Sequence, residues 1–308
     1  MADRFWVGGT GNWSDATNHW ATSSGGTPDA GNTPDSTHSV TFDILSHTAA
    51  YTVTINAAAS CLDMTCGNPL TGAPTLAGSS ALNVYGNLTL VAGMGRTFTG
   101  ALSFRATTTG KVVDFKTIVM ASTIDFSGIG GGWTLEASSS LNNGSSILRS
   151  TNGSIDTNGR PVTCGTFDSS AANTRTLTLG ASQISCTLWN FSSSVTLNAG
   201  TSTITCSGSF VGAGKTYYNC ILTETAPNIQ NANTFTNLTR TATDTVTDSL
   251  KLYANQVITD TLTINGYSSI ARILVSSDNL GAARTLTAAT VVVTNADFKD
   301  ITGAGAGN

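Results

Sequence analysis

The chain is sparing with side chains that do acid–base chemistry. Of its 18 acidic residues only Glu136 and Glu224 are glutamates, and the aspartates are scattered. A glycosidase needs two carboxyls flanking the scissile bond. Asp125, Asp156 and Asp168 meet on a face only if successive turns of the chain align, and Asp156 sits in Ser154-Ile155-Asp156-Thr157-Asn158-Gly159, which is turn chemistry. The three histidines, His19, His38 and His47, fall within the first 47 residues, and none stands in a nucleophile-elbow context. Gly128-Ile129-Gly130-Gly131-Gly132 lacks the Lys-Ser/Thr that follows a phosphate loop and reads as a wide corner. Cys61 and Cys66 are spaced to pair or to bind metal, yet no second Cys or His pair stands at zinc spacing. The expectation is therefore a non-enzyme with no catalytic, cofactor or metal site, a glycan hydrolase or lyase being the alternative.

The elements that would position these residues are set by a repeat. Thr176 to Cys186 can be laid over Thr196 to Cys206 at an offset of twenty, with Thr, Leu, Gly, Ser, Ile and Cys recurring in step. Alternating β-branched and polar residues broken by Gly at that period are the mark of a coil that pairs each turn with the next. Val162-Thr163-Cys164 carries the same order one turn earlier, so Cys164, Cys186 and Cys206 should stack with Leu177, Leu197, Ile184 and Ile204 as an interior ladder. Leu82 and Val84, Leu102 and Phe104, then Ile124 and Phe126 repeat the pattern upstream. Successive side chains of a strand face opposite sides, so the apolar member points in and Thr, Ser or Asn points out. Runs such as Thr239 to Thr247 combine poor helix formers with a period of two, which argues against helix. The fold expected is all-β, a right-handed parallel β-helix with turns of about 20–22 residues; a β-sandwich is the runner-up and would show hairpins instead.

Charged residues make up 10 % of the chain, net charge is −4, and the 14 basic residues form no cluster, which gives no electrostatic reason to expect a nucleic-acid partner. The longest apolar runs, such as Ala289-Thr290-Val291-Val292-Val293, are far too short to cross a bilayer, so no membrane partner is expected. The opening residues show no apolar signal-peptide core, from which the expectation is a protein made and kept in a cytoplasm, or one whose signal has been removed. Cysteines at stacked interior positions in such a compartment read as buried free thiols.

Residues 1–72 hold all the histidines and three of the five tryptophans, and read as an N-terminal cap or docking module. Residues 73–302 read as the parallel β-helix, and 303–308 as a flexible Gly/Ala tail. Trp6, Trp13 and Trp20 with His19 have two roles open to them: a contact surface, since aromatics dominate interface energetics, or the small core of the cap. The opening Phe5-Trp6-Val7-Gly8-Gly9-Thr10-Gly11-Asn12-Trp13, the segment Thr174 to Gly180, and Arg284-Thr285-Leu286-Thr287 with Asn295 to Thr302 resemble β-helical virion proteins of tailed bacteriophages and repeat regions of bacterial surface adhesins. The resemblance covers most of the chain and concerns architecture above activity. It implies a virion structural protein of fibre, spike or head-decoration type, assembled in the host cytoplasm. It also implies a homotrimer that contacts other capsid or tail proteins, with host cell-surface glycan as a further partner. A tailspike enzyme degrading that glycan, or a bacterial adhesin, is the alternative.

Overall fold

Alternation of apolar and hydroxyl residues yields strands almost throughout. The computed structural model describes residues 2–67, 72, 74–224, 226–242 and 246–306; among these the only helical segments are one turn at Ala16–His19 and a 3-10 turn at Ala30–Asn32. Two units can be distinguished, residues 1–162 and 163–308.

In the first unit each winding of the chain contributes one strand to each of three parallel stacks. One stack runs Ala2–Trp6, His38–Phe42, Met64–Cys66, Leu88–Thr89, Lys111–Asp114, Gly132–Leu135, Gly153–Asp156. A second holds Gly11–Asn12, Tyr51–Ile55, Pro74–Gly78 and Gly95–Arg96. The third pairs Ala59–Cys61, Leu82–Val84, Leu102–Phe104, Ile124–Phe126 and Ile147–Ser150. Leu82 lies on Leu102 and Leu102 on Ile124, the register read from the sequence, with Val84, Phe104 and Phe126 in the adjacent column. All six are at most 1 % exposed, and the Phe104 and Phe126 rings stack at 4.7 Å. The coil is a β-solenoid, and the sandwich alternative fails because the pairings are parallel. Among the described residues a single antiparallel pair occurs, Trp20–Ala21 against Ala2–Trp6, and it closes the open edge of the first turn. His38–Phe42 and Met64–Cys66 already belong to the stack that continues through residue 156. The coil thus begins well before residue 73, where the sequence reading placed its start, and its boundary there coincides with no break between sheets.

The second unit continues the same principle with uneven turns. Arg175–Thr178 and Val195–Asn198 pair as the overlaid sequences require, Leu177 on Leu197. Gln183–Phe191, Thr203–Cys206, Thr216–Leu222, Thr234–Thr241, Gln256–Asn265, Arg284–Thr294 and Ile301–Ala304 form one long parallel stack. Ser209–Val211, Asn228–Gln230, Asp248–Leu252, Ile273–Ser277 and Ala296–Lys299 form the facing one. Two columns run along the first stack: Ile184, Ile204, Cys220, Leu238, Leu262, Val291, and Cys186, Cys206, Leu222, Arg240, Ile264, Val293; all are interior except Val291 and Val293, which are exposed. Ile204 follows Ile184 by twenty residues, but Cys220 follows Ile204 by only sixteen. The shorter turn leaves too little chain for a third side, so the sheet that contains Val195–Asn198 ends with that strand.

Corners are where neighbouring backbones come closest. Gly180 and Gly200 both have positive φ and sit directly above one another; a Cβ on Gly200 would lie 2.4 Å from the Gly180 carbonyl oxygen. At the far end of the chain Gly303 and Ala304 pair with Leu286 and Thr287, so part of the stretch expected as a flexible tail is strand, held by backbone hydrogen bonds that need no side chain. Gly307 and Asn308 lie outside the described residues, as do 243–245 of the Thr-rich run.

Candidate functional site

The tryptophan group assembles from one local motif. The positive φ of Gly8 and Gly9 turns the chain after Ala2–Trp6, and the helical turn Ala16–His19 brings His19 and Trp20 back against it. Trp6 stacks on His19 at 4.5 Å and meets Trp20 edge-on at 5.0 Å, while Trp13 meets Trp20 at 4.9 Å and Phe42 floors the cluster. Three of the four polar edges are satisfied inside, and the buried Trp13 Nε1 is not: Trp6 Nε1 donates to the Gly9 carbonyl at 2.8 Å, Trp20 Nε1 to the Trp13 carbonyl at 2.7 Å, and His19 Nδ1 to the Val7 carbonyl at 2.9 Å. Gly11 is obligatory, since a Cβ there would lie 1.8 Å from His19 Nε2. Trp6, Trp13, Trp20 and His19 are all buried, so of the two roles open to them the structure gives the interior one. They do not form an exposed docking surface. Their hydrophobic area closes the first turn of the coil.

The three aspartates weighed as carboxylate partners are each held by hydrogen bonds, Asp156 and Asp168 within their own turns and Asp125 from the next winding. Asp125 accepts from Thr151 Oγ1 at 2.7 Å. Asp156 accepts from the Asn158 backbone N–H at 2.7 Å, and it lies in a different stack from Asp125. Asp168, in the second unit, accepts from the Ser170 N–H and hydroxyl. Gly128–Gly132 is a corner as expected, the Gly131 N–H bonding the Gly128 carbonyl at 3.1 Å. Cys61 and Cys66 occupy strands of different sheets, and Cys66 Sγ contacts Met94 Sδ at 3.9 Å. All six cysteines are free and buried, and among the described residues no group of three or more His, Cys, Asp or Glu is placed to hold a metal ion.

The registers pair Cys186 with Cys206, Ile184 with Ile204 and Leu177 with Leu197, with one addition and one exception to the ladder expected from the sequence. Cys164 is close enough for its charge to act on Cys186 and for that of Cys206 to act on it. Cys220 joins them because the sixteen-residue turn shifts it onto Ile204, a shift no fixed period reveals. Burial pushes the Cys164 thiol up to about 12. Cys206 is displaced the other way, because the Cys186 thiol donates to it and the Gly208 and Trp189 backbone N–H groups point at it. Leu197 is the exception: as part of the last strand in its sheet it has no turn above it and is half-buried.

That ledge bounds a cleft of about 270 Å³ between Leu197, Ala199, Gly200, Thr216, Tyr218 and Thr236. A neighbouring cleft of about 390 Å³ is lined by Phe191, Ser192, Ser193, Val211, Asn231 and Ala232. Neither lining contains a carboxylate, histidine or thiol, so the chemistry offered is hydrogen bonding and apolar contact. Beside them an outward ladder is hydrogen-bonded along the coil: Asn219 Nδ2 to Thr203 Oγ1 at 3.2 Å, Asn237 Nδ2 to Asn219 Oδ1 at 2.9 Å, and the Thr261 N–H to Asn237 Oδ1 at 3.2 Å.

Two buried arginines carry no signal in the repeat. Arg175 directs its guanidinium to Ser169 Oγ at 2.7 Å, the Ala171 carbonyl at 2.7 Å and Ser192 Oγ at 3.2 Å. Arg240 stands in the interior column between Leu222 and Ile264 and pairs with Asp248 at 2.7 Å, both side chains fully buried. No protein family, curated protein or solved structure matches the chain.

Proposed function

We propose that the chain is a non-enzymatic structural subunit of a tailed-bacteriophage virion, of tail fibre, spike or head-decoration type, serving particle assembly and adhesion to the host surface. The observation that carries this reading is the in-register parallel coil: its interior is filled mainly by apolar side chains and its outer rows carry hydroxyls and amides tied to one another. Such a coil meets the backbone hydrogen bonds of each turn with its neighbours, which suits a mechanical element. Its outer rows supply weak polar contacts without a reactive centre. Assembly as a homotrimer and contact with capsid or tail proteins complete the reading.

Immuno-gold labelling of purified particles with antibody against this chain tests it, alongside incubation of the purified chain with host cells and isolated surface glycan. Labelled particles with intact glycan support the proposal. Absence from the particles overturns the virion assignment, and shortening of the glycan overturns the non-enzymatic one in favour of a tailspike hydrolase or lyase. Sedimentation equilibrium at a monomer mass would remove the trimer.

A further inference from the structure

We infer that Cys186 and Cys206 form a latent disulfide site, closed by a two-electron oxidant of the peroxide class, that staples one turn of the coil to the next. They are directly paired residues on adjacent parallel strands and face the same interior column. Neighbouring strands lie about 4.8 Å apart, inside the roughly 4.4–6.8 Å between Cα atoms that a disulfide spans. The two thiols are hydrogen-bonded to each other, and both are free. The register of these paired strands places sulfur over sulfur.

The surroundings assign the roles. Cys206 Sγ receives the Cys186 S–H and the Gly208 and Trp189 backbone N–H groups, which favour its thiolate, while in the neutral form it donates to the Thr187 carbonyl at 3.2 Å. Burial and the adjacent thiols push Cys186 upward, so it stays protonated. Cys206 is therefore the attacking sulfur: its thiolate takes one peroxide oxygen as the O–O bond breaks, giving a sulfenic acid and, after protonation, water. The Cys186 sulfur then attacks the sulfenic sulfur, the S–S bond forms, the S–O bond breaks, and the hydroxyl leaves as a second water with the Cys186 proton. Two thiols are oxidised by two electrons and one peroxide is reduced. The entry route is the bend Ser207-Gly208, partly exposed and immediately after Cys206.

The test treats the purified full chain with hydrogen peroxide, and in parallel with diamide, then maps peptides without reduction. The expected product has lost two thiols, is lighter by two hydrogens, and carries a Cys186–Cys206 crosslink; its melting temperature is higher by several degrees and returns on reduction, as closing a loop of this length requires. Cys186→Ala should leave a sulfenic acid on Cys206 that dimedone traps, and Cys206→Ala should leave every remaining thiol unreacted in the folded chain. Survival of all thiols under both oxidants overturns the inference, as does a crosslink that takes Cys164 in place of either partner. The wild-type peptide map decides this without any variant having to fold.

Discussion

Asp248→Asn isolates a charge that the coil has walled in. Arg240 lies between Leu222 and Ile264 in a column otherwise closed by apolar side chains, and its Nη2 donates to Asp248 Oδ2 at 2.7 Å. Further donors go to the Ser249 carbonyl at 3.4 Å and to the Thr241 carbonyl. With an effective dielectric near 20 and charge centres roughly 4 Å apart, the attraction is about 4 kcal/mol. Removing both ions from water costs several kcal/mol each, so the intact pair contributes little on balance. Losing one partner is different: neutral Asn leaves a guanidinium buried without its counter-charge, and the expected loss is about 3–5 kcal/mol. At about 2–4 °C per kcal/mol for a unit of this size, melting falls by roughly 10 °C. The double variant Arg240→Met with Asp248→Leu removes both charges and should lie close to wild type or above it. Urea and thermal unfolding followed by far-ultraviolet circular dichroism, on the two singles and the double, gives the coupling energy. A loss below about 1 kcal/mol for Asp248→Asn, or a double variant as unstable as the singles summed, would refute the account.

Other consequences follow from the same packing. Phe104→Ala removes a ring stacked on Phe126 in a fully buried column, so calorimetry should show a loss of about 3–5 kcal/mol. Trp20→Ala should cost a similar amount and increase proteolytic cleavage among residues 2–42, since it removes the centre of the aromatic cluster. Gly200→Ala forces a Cβ against the Gly180 carbonyl at positive φ and should cost more in urea titration than Gly93→Ala, where φ is also positive but nothing lies within 4 Å. Burial raises the Cys66 and Cys164 thiols from 9.0 to about 12, so the folded chain keeps protons that the unfolded chain releases. Their contribution to stability is complete below pH 9 and is lost as pH rises towards 12, a decline that the Cys66→Ala, Cys164→Ala double variant should flatten in melts across that range.

Much of the architecture is legible in the order of residues. Period-two alternation with a recurrence near twenty fixes which residue lies on which, and Leu82 on Leu102 on Ile124, Ile184 on Ile204 and Cys186 on Cys206 all follow, because neighbouring parallel turns of equal length keep their registers. What the sequence leaves open is whether another turn lies above a given residue. Leu177 and Leu197 are repeats of one another, yet one is sealed and the other edges a cleft, since the sheet ends at the strand that carries Leu197. The sixteen-residue turn brings Cys220 into the interior, and the pairing with Asp248 lets Arg240 stand in a column of hydrophobes. The tryptophans near the start carry no local mark telling surface from core; the return of Trp20 against Trp6 buries them. Side-chain direction is a local property that alternation encodes, whereas burial depends on the chain that arrives from elsewhere, and that is decided only when the turns are stacked.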